Sequence, residues 1–128
     1  MRLLLDTHAM YWYIEGAPQL SPTAQVLIQD ATNEVLISPA SYWEIAIKIS
    51  IGKWQLNQPY ERFVDIALNQ YGFQALPILP THTAMLIRLP FHHRDPFDRL
   101  LVSQAMVEGI PIVGNDRAFD AYGISRLW

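Results

Sequence analysis

Short apolar segments alternate with longer segments of mixed polarity along the 128-residue chain. Some of these apolar segments, such as Leu3-Leu4-Leu5 and Val35-Leu36-Ile37, have no polar interruption, which is typical of strands that are buried on both faces. Ser-Pro and Asp-Pro pairs begin several of the longer segments and predict helix starts, because they supply a capping oxygen and a proline at the first helical position. The pattern predicts strands at residues 2–5, 35–37, 74–78, 110–113 and 124–127. It predicts helices at residues 22–31, 39–51, 59–72, 80–89 and 96–108, and it leaves residues 7–15 unassigned.

Strands that alternate with helices indicate an α/β fold, with a short, mainly parallel sheet and helices on both of its faces. We expect one domain over residues 1–128, because domains of ~100–150 residues are the commonest. Pro77 cannot donate a backbone hydrogen bond, so the strand at 74–78 is expected at an edge or an end of the sheet. Ligands of such sheets bind outside the carboxyl ends of the strands, so acidic residues found there are candidates for function.

The composition narrows the classes of function. Only 16% of the residues are charged, against roughly 25% in an ordinary domain, and the chain has four Trp, six Tyr and five Phe. We therefore expect a partner protein to cover some exposed apolar surface, the alternative being a hydrophobic monomer of poor solubility. The absence of cysteine excludes a disulfide scaffold, a thiolate metal site and a cysteine nucleophile. The net charge of −3 argues against a nucleic-acid binder that works by charge alone, although the acidic metal site of a nuclease would contribute to this charge.

The apolar stretches are short. None reaches the ~18 residues of a transmembrane helix, and the three leucines before Asp6 are too few for the apolar region of a signal peptide. A cytoplasmic location is the resulting expectation.

Two aspartates lie just past predicted strands. Asp6 comes after Leu3-Leu4-Leu5, and Asp116 comes after the strand at 110–113 in a Gly-Asn-Asp turn. Each has an alternative structural role, Asp6 as the cap of the next helix and Asp116 as a turn residue. Because the carboxyl ends of parallel strands meet at one edge of the sheet, both carboxylates are also candidates for one site.

Three further acids lie on predicted helices. Glu44 has bulky apolar neighbours, which favours a buried role over an exposed ion pair with Lys48, although both remain open. Asp95 precedes Pro96 and is predicted to cap the helix at 96–108. Asp98 follows in the first helical turn, where the helix dipole favours its charge and where it can also reach a site at the helix N-terminus.

Jointly these acids predict a metal site. Carboxylates brought together repel one another unless they are protonated or bound to cations, and oxygen-only ligands suit Mg²⁺ or Mn²⁺. Such a site supports phosphoryl or phosphodiester chemistry. The spacing of the histidines does not match a zinc site. His8 is expected to be structural or to support the metal ligands from behind. His92 and His93 are expected in a solvated loop, the alternative being a contact with a phosphate backbone. Phosphate-binding loops, dinucleotide fingerprints and nucleophile-elbow motifs are absent from the sequence.

An ordered set of motifs over the whole chain resembles the PIN domain, and more narrowly the VapC-type ribonuclease toxins of bacterial toxin–antitoxin pairs. The set consists of Leu3-Leu4-Leu5-Asp6-Thr7-His8, Trp43-Glu44-Ile45-Ala46-Ile47-Lys48 with Gly52-Lys53, Asp95-Pro96-Phe97-Asp98-Arg99-Leu100-Leu101, and Asn115-Asp116 with Phe119. One position departs from the pattern. Gly114 stands where the family often has Ser or Thr, so a hydroxyl that could orient the last aspartate or bind substrate is missing.

The resemblance implies a Mg²⁺- or Mn²⁺-dependent endoribonuclease. It implies Asp6 and Asp98 as the main direct metal ligands, with Glu44 and Asp116 binding through water, holding a second ion or helping to activate the attacking water. All four would be catalytic.

The resemblance also implies supporting residues and partners. Asp95 is expected to support the site as a helix cap, and Lys48 to contact phosphate or restrain Glu44. A homodimer and a cognate antitoxin that covers the acidic groove are the expected protein partners. The competing hypothesis is a catalytically degraded PIN-like domain that acts as a protein- or RNA-binding module.

Overall fold

The computed structural model describes residues 1–128 and contains a five-stranded sheet in which every pairing is parallel. The strands are β1 (Arg2–Leu5), β2 (Glu34–Ile37), β3 (Gln74–Ala75), β4 (Ile112–Val113) and β5 (Arg126–Leu127). Their order across the sheet is β3-β2-β1-β4-β5, so β1 is the central strand. The parallel sheet is as the sequence predicts, and β3 occupies an edge, as expected for a strand followed by Pro77.

Five of the six α-helices begin at or next to the capping signals that predict them. The six are α1 (Thr7–Glu15), α2 (Pro22–Gln29), α3 (Pro39–Ser50), α4 (Tyr60–Asp65), α5 (Pro80–Arg88) and α6 (Pro96–Glu108). A π-helical turn at Ile66–Gln70 continues α4, and a 3₁₀ helix at Arg117–Tyr122 follows β4. Ser21 and Ser38 accept hydrogen bonds from the first-turn amides of Ala24 and Ala40, which confirms their predicted role as caps.

The pattern analysis missed α1. No proline marks its start, and its sequence THAMYWYIE contains mostly residues of middling helix propensity. Tertiary packing stabilises the helix instead, because its own residues Thr7, Ala9 and Met10 are buried against the rest of the protein. The predicted boundaries of the other helices are close to those observed.

The three leucines of β1 supply both hydrophobic cores. Successive side chains of a strand point to opposite faces, so Leu3 and Leu5 enter one core while Leu4 enters the other. The first core is completed by α1, α2, α3 and α4, and the second by α5 and α6. All three leucines are fully buried, and burial of each stabilises the fold by roughly 2 kcal/mol. The central strand is thereby held rigidly between two helical layers.

None of the helices combines the length and the apolar character needed to cross a membrane.

Candidate metal centre

Asp6 lies at the junction of β1 and β4. These strands end side by side, with Leu5 opposite Val113, and the Asp6 amide donates a hydrogen bond to the Val113 carbonyl at 3.0 Å. One carboxylate oxygen of Asp6, Oδ1, accepts a hydrogen bond from the Ala9 amide at 2.7 Å and so caps α1. The two hypotheses for Asp6, helix cap and site residue, are therefore compatible, because the cap leaves Oδ2 available.

Gly114 makes room for that second oxygen. A Cβ atom added to Gly114 would lie 2.6 Å from Asp6 Oδ2 and 2.9 Å from Asp6 Cγ. Such distances are well inside van der Waals contact, so a serine or threonine at this position would push the Asp6 carboxylate away. The departure from the family pattern at Gly114 is consequently a steric requirement of the position that Asp6 adopts in this chain.

Asp95 and Asp98 divide two roles between them at the start of α6. Asp95 Oδ1 accepts hydrogen bonds from the amides of Phe97 at 2.8 Å and Asp98 at 3.1 Å, as predicted for a helix cap. Asp98 makes no cap and instead lines a cleft of about 260 Å³ together with Asp6 and Asp116. The remaining residues that line this cleft are His8, Trp12 and Asn115.

Glu44 is buried in α3 rather than paired at the surface. Only 4% of its surface is exposed, no salt bridge joins it to Lys48, and its Oε1 atom has no hydrogen-bond partner. A buried carboxylate oxygen without a partner is costly unless another group satisfies it. The alternative of an exposed ion pair is therefore excluded, and Lys48 acts on Glu44 only through its electrostatic field, which works to lower the pKa of the carboxyl.

The acids shift one another's pKa values. Burial, followed by repulsion from Asp116 and Glu44, raises the pKa of Asp6 to about 7, although the hydrogen bond from Ala9 opposes the shift. Burial and repulsion from Asp95, Asp6, Glu44 and Asp116 raise the pKa of Asp98 to about 8. Burial also raises the pKa of Glu44, and Asp95 adds to that shift. The carboxyls of α3, α6 and the β1–β4 junction therefore form one electrostatic cluster.

This cluster fits a divalent cation. A cation between Asp6 and Asp98 would remove the repulsion that raises their pKa values, and carboxylate oxygens are the ligands that Mg²⁺ and Mn²⁺ prefer. The unpartnered Oε1 of Glu44 provides a further acceptor for a bound water or ion. The residues that could hold a metal are thus Asp6 and Asp98, supported by Glu44 and Asp116.

Asp116 differs from the other acids because it already has hydrogen-bond donors. Its Oδ1 accepts from the Ala118 amide at 2.9 Å and its Oδ2 lies 2.8 Å from His93 Nε2. Partial burial alone would raise the pKa of Asp116, but the hydrogen bonds from Ala118 and His93 outweigh it and lower the pKa below its ordinary value. Its side chain is 44% exposed, so it forms the open rim of the cleft.

His93 is the site residue that the sequence analysis missed. Its Nε2 lies 3.0 Å from Asp98 Oδ2 as well as 2.8 Å from Asp116 Oδ2, and only 15% of its side chain is exposed. The expectation of a solvated loop holds for His92, which is exposed, but is wrong for His93. The one available sequence signal was proximity, since His93 lies two residues before the Asp95 cap.

His8 lies at the cleft and packs against Trp12 and Trp54, at ring-centroid distances of 5.2 and 5.1 Å.

Two curated relatives match this chain, both from Mycobacterium tuberculosis. Ribonuclease VapC22 is 28% identical over 116 residues, which cover 90% of this chain and 87% of that protein. Ribonuclease VapC16 is 35% identical over 60 residues, so the match spans 47% of this chain and less than half, 43%, of that protein.

Solved structures share the fold over nearly the whole chain. VapBC2 from Rickettsia felis, solved with a DNA fragment from its promoter, aligns with a TM-score of 0.73 at 18% identity and covers 98% of this chain and 97% of that chain. VapBC-5 from Mycobacterium tuberculosis, a member of the VapBC family of toxin–antitoxin systems, aligns with a TM-score of 0.60 at 16% identity over 94% of this chain and 89% of that chain. The family model of the PIN domain matches residues 3–124. With the parallel sheet and the acidic cleft at its carboxyl edge, this match over almost the full length means that the chain belongs to the PIN-domain family.

Proposed function

We propose that the protein is an endoribonuclease that requires Mg²⁺ or Mn²⁺ and that residues 1–128 form its single nuclease domain. The observation that carries this proposal is the convergence of Asp6, Asp98 and Asp116 on one cleft. Glu44 is electrostatically coupled to Asp6 and Asp98, and the pKa values of Asp6, Asp98 and Glu44 are raised. The names of the two curated relatives, both ribonucleases, support the same chemistry.

The four acids have different roles in this proposal. Asp6 Oδ2 and the carboxylate of Asp98 are the direct ligands, because the first is free of the cap and the second makes no cap. Glu44 and Asp116 act through bound water, through a second ion or in activating the attacking water, since Glu44 Oε1 is unpartnered and Asp116 lies at the open rim. A bound divalent ion would polarise the scissile phosphate, lower the pKa of a bound water and stabilise the leaving oxygen.

The surroundings of the cleft support RNA as the substrate. Trp12 and His8 line the cleft beside the acids, and aromatic rings of this kind stack on unpaired bases. Lys48 lies close enough to Glu44 and His8 to influence the pKa values of both, so it is a candidate for a phosphate contact. These groups favour a single-stranded segment that reaches the metal through one phosphate.

Cleavage assays on the full chain test this function. Asp6→Asn and Asp98→Asn are each expected to reduce Mn²⁺-dependent cleavage of a total-RNA substrate by roughly 10²–10³-fold, because each removes a charge that holds the ion. Asparagine still caps a helix at position 6, so the fold should survive. Asp65→Asn, at a surface acid whose side chain is 51% exposed, is the matched control and should cleave normally.

Thermal melting separates the outcomes of that assay. Mn²⁺ should raise the melting temperature of the wild type by binding the native state, and Asp98→Asn should weaken this response. Cleavage that persists in both site variants would show that the site is wrongly assigned. Absence of both cleavage and an ion response in the wild type would favour a degraded PIN-like module that binds protein or RNA.

We further propose that the protein acts in the cytoplasm as the toxin of a toxin–antitoxin pair and forms a homodimer. Trp43, Ile87 and Phe91 are large apolar side chains with exposures of 61%, 86% and 85%, which is typical of surfaces that bind a partner. Co-expression with the product of a small neighbouring gene, followed by size-exclusion chromatography, should give a complex larger than the toxin alone. Elution of a lone monomer in that experiment would contradict the toxin–antitoxin assignment without affecting the nuclease assignment.

A further inference from the structure

His93, in the loop between α5 and α6, contacts Asp98 and Asp116, which are two of the three acids that line the cleft. We propose that His93 is a positioning residue that competes with the divalent ion for Asp98 and Asp116, and thereby sets how tightly the site binds its ion. The inference rests on the proposed function, because it concerns the same ion, and it adds a residue that neither the motifs nor the comparisons assign.

The hydrogen bonds of the imidazole determine which of its nitrogens carries a proton. Nδ1 lies 3.1 Å from the backbone nitrogen of Asp95, and a backbone N–H can only donate. Nδ1 is therefore an acceptor, and the ring proton is on Nε2, 2.8 Å from Asp116 Oδ2 and 3.0 Å from Asp98 Oδ2. A nitrogen that carries a proton has no lone pair for a metal. His93 thus faces the acids as a donor and not as a ligand.

Hydrogen bonds from Arg99 and to Tyr122 hold the loop that contains His93. The His93 amide donates to the Tyr122 hydroxyl at 2.8 Å, and Arg99 donates to that hydroxyl at 3.4 Å. The same guanidinium donates to the carbonyls of Pro90 at 2.7 Å and Leu89 at 3.2 Å, and Arg99 is only 6% exposed. A buried, multiply bonded arginine holds the backbone of this loop, so the ring can leave the acids only by rotation of its own side chain.

Competition follows from the shared oxygens. His93 Nε2 lies 3.0 Å from Oδ2 of Asp98 and 2.8 Å from Oδ2 of Asp116, so the imidazole contacts oxygens that Asp98 would offer to an ion directly and Asp116 through water or to a second ion. Ion binding through these atoms must break both contacts, and their loss offsets part of the affinity. Removal of the imidazole should therefore tighten ion binding, whereas removal of a true ligand would weaken it.

Adjacent histidines provide a matched pair of variants. Mn²⁺ is titrated into the full-length wild type, His93→Ala and His92→Ala at one fixed pH, and free Mn²⁺ is followed by electron paramagnetic resonance. We expect His93→Ala to bind Mn²⁺ about 5–10-fold more tightly, the effect of losing about one net hydrogen bond. His92 is exposed in the same loop, so His92→Ala should bind Mn²⁺ as tightly as the wild type does. His93→Gln, whose amide can still donate to one carboxylate, should fall between the two and serves if the alanine variant does not fold.

Pulsed electron paramagnetic resonance on bound Mn²⁺ supplies a second readout that does not depend on activity, because it detects nitrogen atoms that coordinate the ion. The wild type should show no directly coordinated ¹⁴N. Weaker binding in His93→Ala together with ¹⁴N coupling in the wild type would overturn the proposal and make His93 a ligand. Equal affinities in the wild type and His93→Ala would also overturn it, and would leave the nuclease assignment standing if Asp98→Asn still loses Mn²⁺. Failure of the wild type and of every histidine variant to bind Mn²⁺ would overturn both.

Discussion

Asp6 and Asp116 occupy equivalent places in the backbone and yet carry opposite electrostatic properties. Asp6 follows β1 directly, and Asp116 comes three residues after the end of β4. Each caps the helix that follows it, through the amides of Ala9 and Ala118 respectively. Asp6 is 4% exposed and its pKa is raised to about 7, whereas the Asp116 side chain is 44% exposed and its pKa is lowered.

The difference lies in what surrounds the second oxygen. Asp6 Oδ2 lies against Gly114 among other carboxylates, while Asp116 Oδ2 receives a hydrogen bond from His93. Burial determines the direction of the pKa shift of Asp6, whereas for Asp116 the hydrogen bonds outweigh burial. The two acids therefore contribute differently to a metal site. Asp6 is a buried carboxyl whose ionised form a cation would stabilise, and Asp116 stays ionised at the rim of the cleft.

The largest expected effect concerns pH in the presence of EDTA. Folded Asp6 and Asp98 titrate near 7 and 8, whereas an unfolded aspartate titrates near 3.9, so between those values the folded chain binds more protons. The free energy of unfolding should therefore fall as pH rises from about 4 to about 8 and stay constant above that, with a loss of about 3 kcal/mol between pH 5 and 9 after solvent screening. Chemical denaturation across this range measures it.

The Asp6→Asn/Asp98→Asn double variant is the control for that profile. It should lose most of the fall between pH 5 and 9, because neither side chain can then ionise. A double variant with the slope of the wild type would mean that other groups cause the pH dependence. Saturating Mn²⁺ should flatten the wild-type profile as well, since the ion replaces the protons.

The second effect concerns the space beside Asp6. Gly114→Ala should cost about 2 kcal/mol of stability and should weaken the Mn²⁺-induced rise in melting temperature, because the added methyl collides with Asp6 Oδ2 at 2.6 Å. The same substitution in an Asp6→Ala background should cost much less, since the colliding atoms are gone. Equal costs in the two backgrounds would show that Gly114 is needed for a reason other than Asp6.

The smallest effect concerns Asp116. Asp116→Asn should lower the free energy of unfolding at pH 7 by less than about 1 kcal/mol, because asparagine still accepts the hydrogen bond from Ala118 while the favourable charge is lost. The lowered pKa of Asp116 makes this contribution present above an unfolded pKa of ~3.9 and lost as pH falls below it. Asp6→Asn in EDTA at pH 9 should have the opposite sign, and melting curves of both variants beside Asp65→Asn compare them. Two changes of the same sign would remove the contrast between the acids.

Local signals explain how much of this arrangement could be predicted from sequence. The strand–aspartate order identified Asp6 and Asp116, and the Asp-Pro pair identified the start of α6, because strand ends and helix caps depend on neighbouring residues. His93 could not be identified in this way. Its orientation depends on Arg99 and Tyr122, which reach it only through the tertiary fold.

Two other features needed the structure for the same reason. Gly114 departs from a motif in sequence, but its steric role is visible only against the Asp6 carboxylate. The choice between a surface pair and a buried role for Glu44 depended on packing around α3, which leaves it 4% exposed. Helix α1 was missed because burial, and not its sequence, stabilises it.

The central position of β1 has a consequence for the time at which the site forms during synthesis. Leu5 pairs with Val113, so β1 gains its neighbour on that side only after residue 113 has been made. Loop closure over such a separation is slow, and Asp6 meets Asp116 only after it. A nascent chain that has not yet reached β4 therefore carries Asp6, Glu44 and Asp98 without an assembled cleft, and the site can form only after β4 has joined the sheet.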